Sequence, residues 1–345
     1  MKELKIGDLT AKLPLVQGGM GVGISLSGLA SAVAEAGGIG TISGVQIGFR
    51  EPDFRENPLE ANLRAMGPEI AKAKANPNNI IAINLMTAMR NYETYAKEAV
   101  QSGIDIIVSG AGLPLNLPKY IAGSNTKIMP IVSSARALNL IIKSWLKSDR
   151  LPDAVVLEGP LAGGHLGFKM DEIQEQTYTP LEDLIGELKD ALAVYENQYH
   201  VNIPLIAGGG IHTRDDVHRI LGLGADAVQI GSRFIGTEEC DAHENYKQAF
   251  LNATAEDMRI IKSPVGLPAR AIRNDFLDAA YTDGFKVNHC FGCMAKCKPA
   301  EIPFCISKYL VDVAKGDEGL VFSGANGYRI NEITTVPKLV EEWFE

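Results

Sequence analysis

Residues 203–233 read IPLIAGGGIHTRDDVHRILGLGADAVQIGSR, and this stretch decides the fold. Its apolar run 205–207 ends in three consecutive glycines, and Thr213 and Asp216 then have the three-residue spacing of a capping box, which starts a helix. Apolar residues at helical spacing follow. A second apolar run, 227–230, ends in another glycine turn. The stretch therefore predicts a strand, a glycine turn, a helix, a second strand and a second glycine turn.

Glycine turns at the ends of two successive strands are suited to binding a phosphate. Glycine has no Cβ, so the backbone can come close to a ligand and present its N–H groups to an anion. In (β/α)8 barrels a phosphate commonly binds in the loops after the seventh and eighth strands. Ordinary tight turns would explain a single glycine cluster equally well, but they explain two clusters less well. The sequence therefore predicts a phosphate site, provided that six further strands precede this stretch.

Six apolar runs of strand length do precede it, and helical patterns separate most of them. The runs are continuous instead of alternating, as expected for parallel strands that are buried on both faces. Glycines and polar residues recur at their C-terminal ends, where barrels build active sites. We predict an α/β fold with a (β/α)8 TIM barrel over residues 1–235; an open doubly wound sheet is the alternative. The six runs are residues 15–17, 39–42, 80–84, 105–108, 128–132 and 154–158.

The pattern changes beyond the barrel. An amphipathic helix is predicted over residues 241–253, and the chain then becomes irregular and rich in cysteine. We predict a smaller C-terminal cap domain, residues 236–325, which lies over the barrel mouth and contributes to the substrate site. The remaining segment, residues 326–345, ends in a helix over 337–344 that should return to the barrel wall.

The composition is that of an ordinary globular protein with a large core. The 345 residues are 46% hydrophobic and 22% charged, which allows one barrel of about 250 residues and a smaller unit. The net charge of −9, without a basic cluster, argues against nucleic acid or an anionic membrane as a partner. No apolar run is typical of a secretion signal or a membrane span. We expect a cytoplasmic protein with a small-molecule substrate, and a homodimer is the assembly to test.

His165 is the strongest candidate for proton transfer. It follows Gly163 and Gly164 at the end of the sixth strand, where little would cover its imidazole. With an unperturbed pKa of about 6.5, a histidine can take or give a proton at neutral pH. An arbitrary histidine is more often a structural residue that is bonded to a loop, but the position after two glycines at a strand end favours a catalytic role.

Three further side chains end the first and third strands, namely Gln17, Met20 and Asn84. The two amides could hydrogen-bond the edge of a planar ring, and Met20 could pack on the face of that ring. The alternative is that Met20 only fills the core. The two interpretations depend on whether a planar ring binds at the barrel mouth.

Four of the five cysteines fall in one segment, with the spacing Cys290-x2-Cys293-x3-Cys297-x7-Cys305. This density is typical of a metal or iron–sulfur site, although the spacing does not match a zinc ribbon. Reduced structural thiols and a redox disulfide are the other two interpretations. A distributed disulfide framework is not indicated. We assign the four cysteines no part in the mechanism, and the sequence leaves open whether they bind a metal or a cluster.

Five motifs occur in chain order at the predicted strand ends: Gln17-Gly18-Gly19-Met20, Asn84-Leu85, Ala162-Gly163-Gly164-His165-Leu166-Gly167, Ala207-Gly208-Gly209-Gly210-Ile211 and Gln229-Ile230-Gly231-Ser232-Arg233-Phe234. Together they resemble the nitronate monooxygenase (2-nitropropane dioxygenase) family. That family is similar to the FMN-dependent enoyl-ACP reductases with a TIM barrel and to NAD(P)H:quinone reductases. The resemblance covers most of residues 10–236, and it is specific as an ensemble although each glycine motif alone is weak.

The resemblance implies an enzyme with FMN bound non-covalently at the barrel mouth. The flavin ring would lie near Gly19, Met20 and Asn84, and His165 would deprotonate a nitroalkane or orient an anionic substrate. The phosphate would be held by Gly209, Gly210, Gly231 and Ser232, and the full predicted set of cofactor-binding residues adds Gln17, Gly19, Met20, Asn84, Glu158, Gly163, Gly164 and Gly208.

The reaction that the resemblance implies is the oxidation of alkyl nitronates with dioxygen. One alternative is a flavin reductase that uses NAD(P)H and acts on an enoyl thioester or a quinone. Residues 109–114, Ser-Gly-Ala-Gly-Leu-Pro, are more similar to the enoyl reductases than to the best-known nitronate oxidases. A second alternative, from another class, is a barrel isomerase or lyase that binds a phosphorylated metabolite in the same glycine turns without any flavin.

Overall fold

This computed structural model describes residues 2–345. Most of its strands belong to one parallel sheet. Short antiparallel strands lie beyond the N-terminal ends and beyond the C-terminal ends of these parallel strands. In chain order the strands are β1 Leu4–Ile6, β2 Leu9–Ala11, β3 Leu15–Gln17, β4 Gly40–Ser43, β5 Ile81–Met86, β6 Ile106–Gly110, β7 Lys127–Val132, β8 Val155–Glu158, β9 Gly164–His165, β10 Leu205–Gly208, β11 Ala227–Ile230, β12 Met258–Lys262 and β13 Pro268–Ile272.

The helices are amphipathic and bury one face. In the helix Ala135–Trp145, for example, the buried residues recur at helical spacing; they are Leu138, Ile141, Ile142 and Trp145. In chain order the α-helices are α1 Ser27–Glu35, α2 Pro58–Ala73, α3 Tyr92–Gln101, α4 Leu117–Tyr120, α5 Ala135–Trp145, α6 Met170–Gln174, α7 Leu181–Tyr199, α8 Arg214–Gly222, α9 Glu244–Leu251, α10 Asp275–Thr282, α11 Ile306–Ala314 and α12 Val336–Phe344.

The parallel strands form a closed (β/α)8 barrel. Around it the order is β3, β4, β5, β6, β7, β8, β10 and β11, and β11 pairs with β3. The contact between β3 and β4 completes the ring, because Gln17 N–H donates to the Ile39 carbonyl and Ile39 N–H donates to the Leu15 carbonyl, both at 2.9 Å. The predicted barrel is confirmed. The open sheet is wrong, since such a sheet would leave two unpaired edges.

The strands and the helix that the sequence predicts within residues 203–233 are confirmed as well. β10 and β11 occupy the two predicted strand positions, and α8 lies between them. The Thr213 side chain accepts a hydrogen bond from Asp216 N–H, and the Asp216 carboxylate accepts one from Thr213 N–H at 2.9 Å, which makes a full capping box.

A β-hairpin closes the N-terminal end of the barrel. β1 and β2 pair antiparallel, and Leu4, Ile6 and Ala11 join a core cluster with the first inward-facing residues of the barrel strands, such as Val16 and Ile39. The hydrophobic pattern alone does not reveal this hairpin, because each of its strands has three residues. The hairpin places the open end of the barrel at the C-terminal ends of the strands.

The C-terminal part of the chain covers that open end. β12 and β13 form an antiparallel pair, and β13 also pairs with β9, the short strand that follows β8. A strand from the barrel half of the sequence therefore completes the sheet of the cap. The domain limits at residues 235 and 325 stay predictions, because the cap and the barrel share this sheet.

The last helix returns to the barrel wall. α12 packs against α1 and α8, and Trp343 Nε1 donates to the His212 carbonyl at 3.0 Å. The limits of this last segment, residues 326–345, stay predictions. Among the helices in residues 2–345, none combines the length and the apolar character that crossing a membrane requires.

Candidate active site

A cavity opens at the C-terminal ends of the barrel strands, where the cap meets the barrel. Its volume, with the open mouth included, is about 1480 Å³. Every residue that the sequence predicts for the site lines it, with the exception of Gln17. The fold thus brings these residues together, and their binding roles stay predictions.

The two glycine turns form one end of the cavity. Gly209 and Gly210 have φ angles of +116° and +80°, which a residue with a side chain adopts only under strain. Unpaired N–H groups on residues that line a cavity are suited to an anion such as a phosphate. Within residues 2–345, the backbone N–H groups of Gly209, Gly210, Gly231, Ser232 and Arg233 donate to no protein acceptor.

Arg233 adds positive charge to this end of the cavity. It is 9% exposed, and its Nε and Nη1 have no hydrogen-bond partner within residues 2–345. Burial and the charges of Arg233 and Arg329 lower the pKa of His212 to about 4. A bound phosphate would compensate this charge. The sequence analysis missed Arg233, although its position directly after Ser232 in the same turn is a usable signal.

A glycine-rich segment from the C-terminal part completes this end. Ser232 Oγ accepts a hydrogen bond from Gly324 N–H at 2.8 Å, and Asn326 Nδ2 donates to the Gly210 carbonyl at 2.6 Å. Both turns are therefore held from outside the barrel. The sequence analysis also missed this segment, because its glycines, Gly324 and Gly327, are far along the chain from the two turns.

His165 lies in β9 at the side of the cavity. Its Nε2 and Ser263 Oγ are 2.8 Å apart and share a hydrogen bond, and its ring meets the Phe322 ring edge to face at 5.1 Å between centroids. Burial lowers the pKa of His165 to about 4, because the charged imidazolium loses its hydration. The imidazole is therefore neutral at pH 7 and fixed in orientation.

Glu158 ends β8 on the same side of the cavity. Its Oε2 accepts a hydrogen bond from Gly167 N–H at 3.0 Å, and Ser133 Oγ lies 3.4 Å away. Burial raises the pKa of Glu158 to about 7, and these two hydrogen bonds only partly oppose the effect. The site therefore holds a neutral imidazole and a carboxyl group whose pKa is close to 7.

Arg270 fixes the loop between Glu158 and His165. Its guanidinium donates to the carbonyl of Pro160 at 3.0 Å and to the carbonyl of Ala162. Arg270 lies in β13, whose neighbouring residue Ala269 pairs with His165 in the ladder. One cap strand thus positions both the loop and the histidine. No local sequence signal identifies this arginine.

The opposite side of the cavity is formed by Gly19, Met20 and Asn84. A Cβ on Gly19 would lie 2.4 Å from the Asn84 Cβ, so only glycine allows these two strand ends to approach. The Asn84 side-chain amide makes no hydrogen bond to the protein within residues 2–345, and it is free to bind the edge of a ring. Met20 also lines the cavity, as a residue that packs on a ring face must.

The structure corrects the expectation for Gln17. This residue is fully buried; its Nε2 donates to the Thr41 carbonyl at 2.9 Å, and its Oε1 accepts from Thr41 N–H at 3.1 Å. The amide is thereby used to tie β3 to β4. Successive side chains of a strand point to opposite faces. Gln17, the last residue of β3, therefore points toward its contact with β4 and away from the cavity.

These features define a class of protein: a (β/α)8 barrel with unpaired backbone N–H groups at two glycine turns and a neutral histidine, all at the C-terminal ends of the strands. The family model described as nitronate monooxygenase matches residues 2–345. A probable nitronate monooxygenase of Bacillus subtilis (strain 168) is 29% identical over 283 residues, which cover 77% of this chain and 78% of that protein. The chain belongs to the nitronate monooxygenase family.

Solved structures show the same fold. FabK from Thermotoga maritima superimposes with a TM-score of 0.71 at 24% identity, over 96% of this chain and 91% of that one. A nitroalkane oxidase from Streptomyces ansochromogenes gives a TM-score of 0.72 at 20% identity, over 96% and 95% of the two chains. At these identities the likeness concerns the fold alone.

Family membership decides between the classes of activity that the sequence left open. The chain is an oxidoreductase of the nitronate monooxygenase type, a family in which a flavoprotein is expected. The isomerase or lyase interpretation is thereby set aside. The substrate, the oxidant and the particular flavin are proposals.

Proposed function

We propose that this enzyme binds FMN and oxidises alkyl nitronates with dioxygen. The observation that carries the proposal is the neutral His165, fixed by Ser263 beside a cavity whose far end is an anion cradle. The cradle suits the single terminal phosphate of FMN, since its unpaired N–H groups come from two adjacent turns, at Gly209–Gly210 and Ser232–Arg233.

Different residues of this chain would bind different parts of FMN. Gly209, Gly210, Gly231 and Ser232 would hold the phosphate, and the free amide of Asn84 would bind the ring edge. When bound, FMN supplies the redox chemistry, because it can accept electrons from a substrate and pass them to dioxygen. The protein contributes position, exclusion of water and control of protons.

The pKa of His165 favours the nitronate over the neutral nitroalkane as substrate. A group with a pKa of about 4 is a weak base, and it would remove a proton from a carbon acid poorly near pH 7. A neutral imidazole can still donate an N–H to an oxygen of an anion that is already formed. We therefore assign His165 the role of orienting the nitronate.

A second candidate function is the reduction of an enoyl thioester with NAD(P)H. Residues 109–114 favour it, because they resemble the corresponding segment of enoyl reductases. Ala111 and Gly112 have φ angles of +51° and +123°, so the segment makes a sharp turn, and Ala111 lines the cavity. A quinone is the other acceptor that NAD(P)H-reduced flavin would serve.

Anaerobic stopped-flow mixing separates these functions. Purified enzyme should be yellow, and an alkyl nitronate should bleach its flavin absorbance faster than NADH or NADPH at equal concentration. Admission of dioxygen should then restore the colour. Bleaching by NADH or NADPH alone, with recovery on addition of an enoyl thioester, would support the second function. A protein that stays colourless with excess FMN would contradict both.

A further inference from the structure

The side chain of Ser263 contacts His165 from behind. Its Oγ lies 2.8 Å from His165 Nε2, and the residue is only 3% exposed. His165 lines the active-site cavity, and Ser263 does not. Ser263 therefore meets the histidine on the side that faces away from a substrate, and it can affect a bound substrate only through the imidazole.

The loop between β12 and β13, residues 263–267, holds Ser263 in place. Ser263 N–H donates to the Leu267 carbonyl at 3.0 Å, and Gly266 N–H donates to the Ser263 carbonyl at 2.8 Å. The Ser263 hydroxyl oxygen also accepts a hydrogen bond from Val265 N–H at 3.4 Å. Both the backbone and the side chain of Ser263 are thus fixed by the loop itself.

The same hairpin fixes the backbone of His165. Ala269, in β13, pairs with His165 in the antiparallel ladder, and Leu166 N–H donates to the Pro268 carbonyl at 2.9 Å. The Phe322 ring packs edge to face against the imidazole, with 5.1 Å between the centroids. The imidazole therefore has one orientation, with Nε2 toward the hairpin loop.

The other ring nitrogen of His165, Nδ1, is open to the cavity. Within residues 2–345 it has no hydrogen-bond partner. It is also not enclosed, because the buried side-chain atoms without a partner in this part of the chain belong to Thr41, Ser124, Arg233 and His289. Since the open space beside His165 is the cavity, a bound substrate can reach Nδ1.

The position of the imidazole proton follows from the hydrogen bond to Ser263. A neutral imidazole carries a proton on one nitrogen and accepts at the other. If Nε2 donated to Ser263 Oγ, the hydroxyl proton would need another acceptor, and none is present within residues 2–345. A buried hydroxyl proton without an acceptor costs free energy. If the hydroxyl donates to Nε2 instead, both groups are satisfied and the imidazole proton is on Nδ1.

We propose that Ser263 is a positioning residue that fixes the tautomer of His165 and makes Nδ1–H the hydrogen-bond donor to an anionic oxygen of the substrate. In this tautomer Nδ1 cannot accept a proton from a carbon acid. Hydrogen bonds to a charged acceptor are stronger than those to a neutral one, so the donor favours a nitronate oxygen over the oxygen of a neutral nitro group. The class of substrate rests on the proposed function, whereas the position of the proton does not.

Nuclear magnetic resonance of the full-length protein, as purified and with ¹⁵N-labelled histidine, measures the tautomer directly. Protonated and unprotonated ring nitrogens resonate in separate ranges, and couplings to the ring protons assign each signal to Nδ1 or Nε2. The signals of His165 are those that disappear in His165→Gln. At pH 7 we expect a protonated Nδ1 and an unprotonated Nε2. A protonated Nε2, or a mixture of tautomers, would overturn the proposal, whatever substrate the enzyme oxidises.

Serine variants connect the tautomer to the reaction. Ser263→Ala removes the hydroxyl donor, so a mixture of tautomers should appear. Its kcat/KM with a nitronate should fall by up to about 10²-fold, the loss that a misplaced group can cause. Ser263→Thr keeps a hydroxyl and should restore both the single tautomer and most of the lost kcat/KM. Far-ultraviolet circular dichroism shows whether each variant is folded.

Ser144→Ala is the matched control. Ser144 lies on α5, where its Oγ donates to the Leu115 carbonyl at 3.1 Å, and it does not line the cavity. Its replacement should change neither the His165 signals nor kcat/KM. A folded Ser263→Ala with the wild-type tautomer, or with an altered tautomer and unchanged kcat/KM, would contradict the assigned role. If the wild-type enzyme turns over no nitronate, the proposed function fails, and the spectrum still decides the position of the proton.

Discussion

His165 illustrates how burial sets the chemistry of a single residue. Its Nε2 is bonded to Ser263 Oγ at 2.8 Å and its pKa is lowered to about 4. We expect His165→Ala to retain bound FMN and to lose roughly 10²- to 10⁴-fold in turnover with a nitronate, the range for a positioned proton-transferring or hydrogen-bonding group. Steady-state kinetics and the flavin-to-protein ratio measure the two effects.

A histidine that is remote from the cavity provides the control for that variant. His200 is exposed at the C-terminal end of α7, so His200→Ala should leave turnover unchanged. The pH profile adds a second criterion. Because His165 stays neutral down to about pH 4, its protonation should not reduce turnover between pH 8 and pH 6. Unchanged turnover in His165→Ala would remove the assigned role.

Glu158 should make stability depend on pH in a defined direction. Its pKa is raised from 4.5 to about 7 by burial, so the folded flavin-free protein binds more protons than the unfolded chain between these values. Stability therefore falls as pH rises through this interval. We expect the thermal midpoint of Glu158→Gln, measured relative to wild type, to increase from pH 5 to pH 8.

The matched control for this residue is Glu187→Gln. Glu187 is exposed on α7, and its replacement should shift the midpoint by a similar small amount at both pH values. Differential scanning calorimetry on the flavin-free proteins makes the comparison. If the midpoints of Glu158→Gln and wild type differ by the same amount at pH 5 and pH 8, the carboxyl group does not titrate in this range.

At the scale of elements, the turn after β10 is the part of the fold to which we assign the phosphate of FMN. Gly209 has φ of +116°, and a Cβ there would lie 3.1 Å from the Gly159 carbonyl oxygen. We expect Gly209→Ala to weaken FMN binding about tenfold or more, because a side chain in this region costs about 1–2 kcal/mol and would displace the phosphate-binding N–H groups. Fluorescence titration of flavin-free protein with FMN measures the affinity.

Gly224 provides the control that separates the effect of backbone strain from an effect on FMN binding. It has φ of +102° with no atom within 4 Å of its would-be Cβ, and it lies between α8 and β11. Gly224→Ala should therefore lower the thermal midpoint through the same kind of backbone strain while FMN affinity stays unchanged. Equal FMN affinities in the two variants would show that the turn after β10 does not hold the phosphate.

Elements also differ in how far the sequence predicts them. The barrel strands and the capping box at Thr213 follow from local patterns, and their positions agree with the structure within one or two residues. The pairing of β9 with β13 does not, because β9 has two residues and its partner lies about a hundred residues later. No periodicity marks a two-residue strand.

At the scale of the whole molecule, the two ends of the barrel have separate tasks. The β1–β2 hairpin closes the N-terminal end, and Ile6 is fully buried there. We expect Ile6→Ala to cost about 2–5 kcal/mol of unfolding free energy through the cavity that it leaves. Turnover should be unchanged below the unfolding temperature, since the active site lies at the other end. Urea unfolding followed by tryptophan fluorescence measures the loss.

Lys5 is the matched control within the same strand. It is exposed between buried Leu4 and Ile6, so Lys5→Ala should change the free energy of unfolding by less than about 0.5 kcal/mol. A loss in Ile6→Ala no larger than in Lys5→Ala would mean that the hairpin is not part of the barrel core. A loss of turnover in folded Ile6→Ala would mean that the two ends are coupled.

The sequence by itself determined the barrel, the two glycine turns and the position of His165 at a strand end. These depend on neighbours a few residues away, which hydrophobic periodicity and turn chemistry describe. Only the tertiary structure decided the properties of the site. Ser263 and Arg270, which hold His165 and its loop, lie 98 and 108 residues or more from their partners. The pKa of His165 and the internal use of the Gln17 amide depend on burial, and burial is fixed only when distant segments pack together.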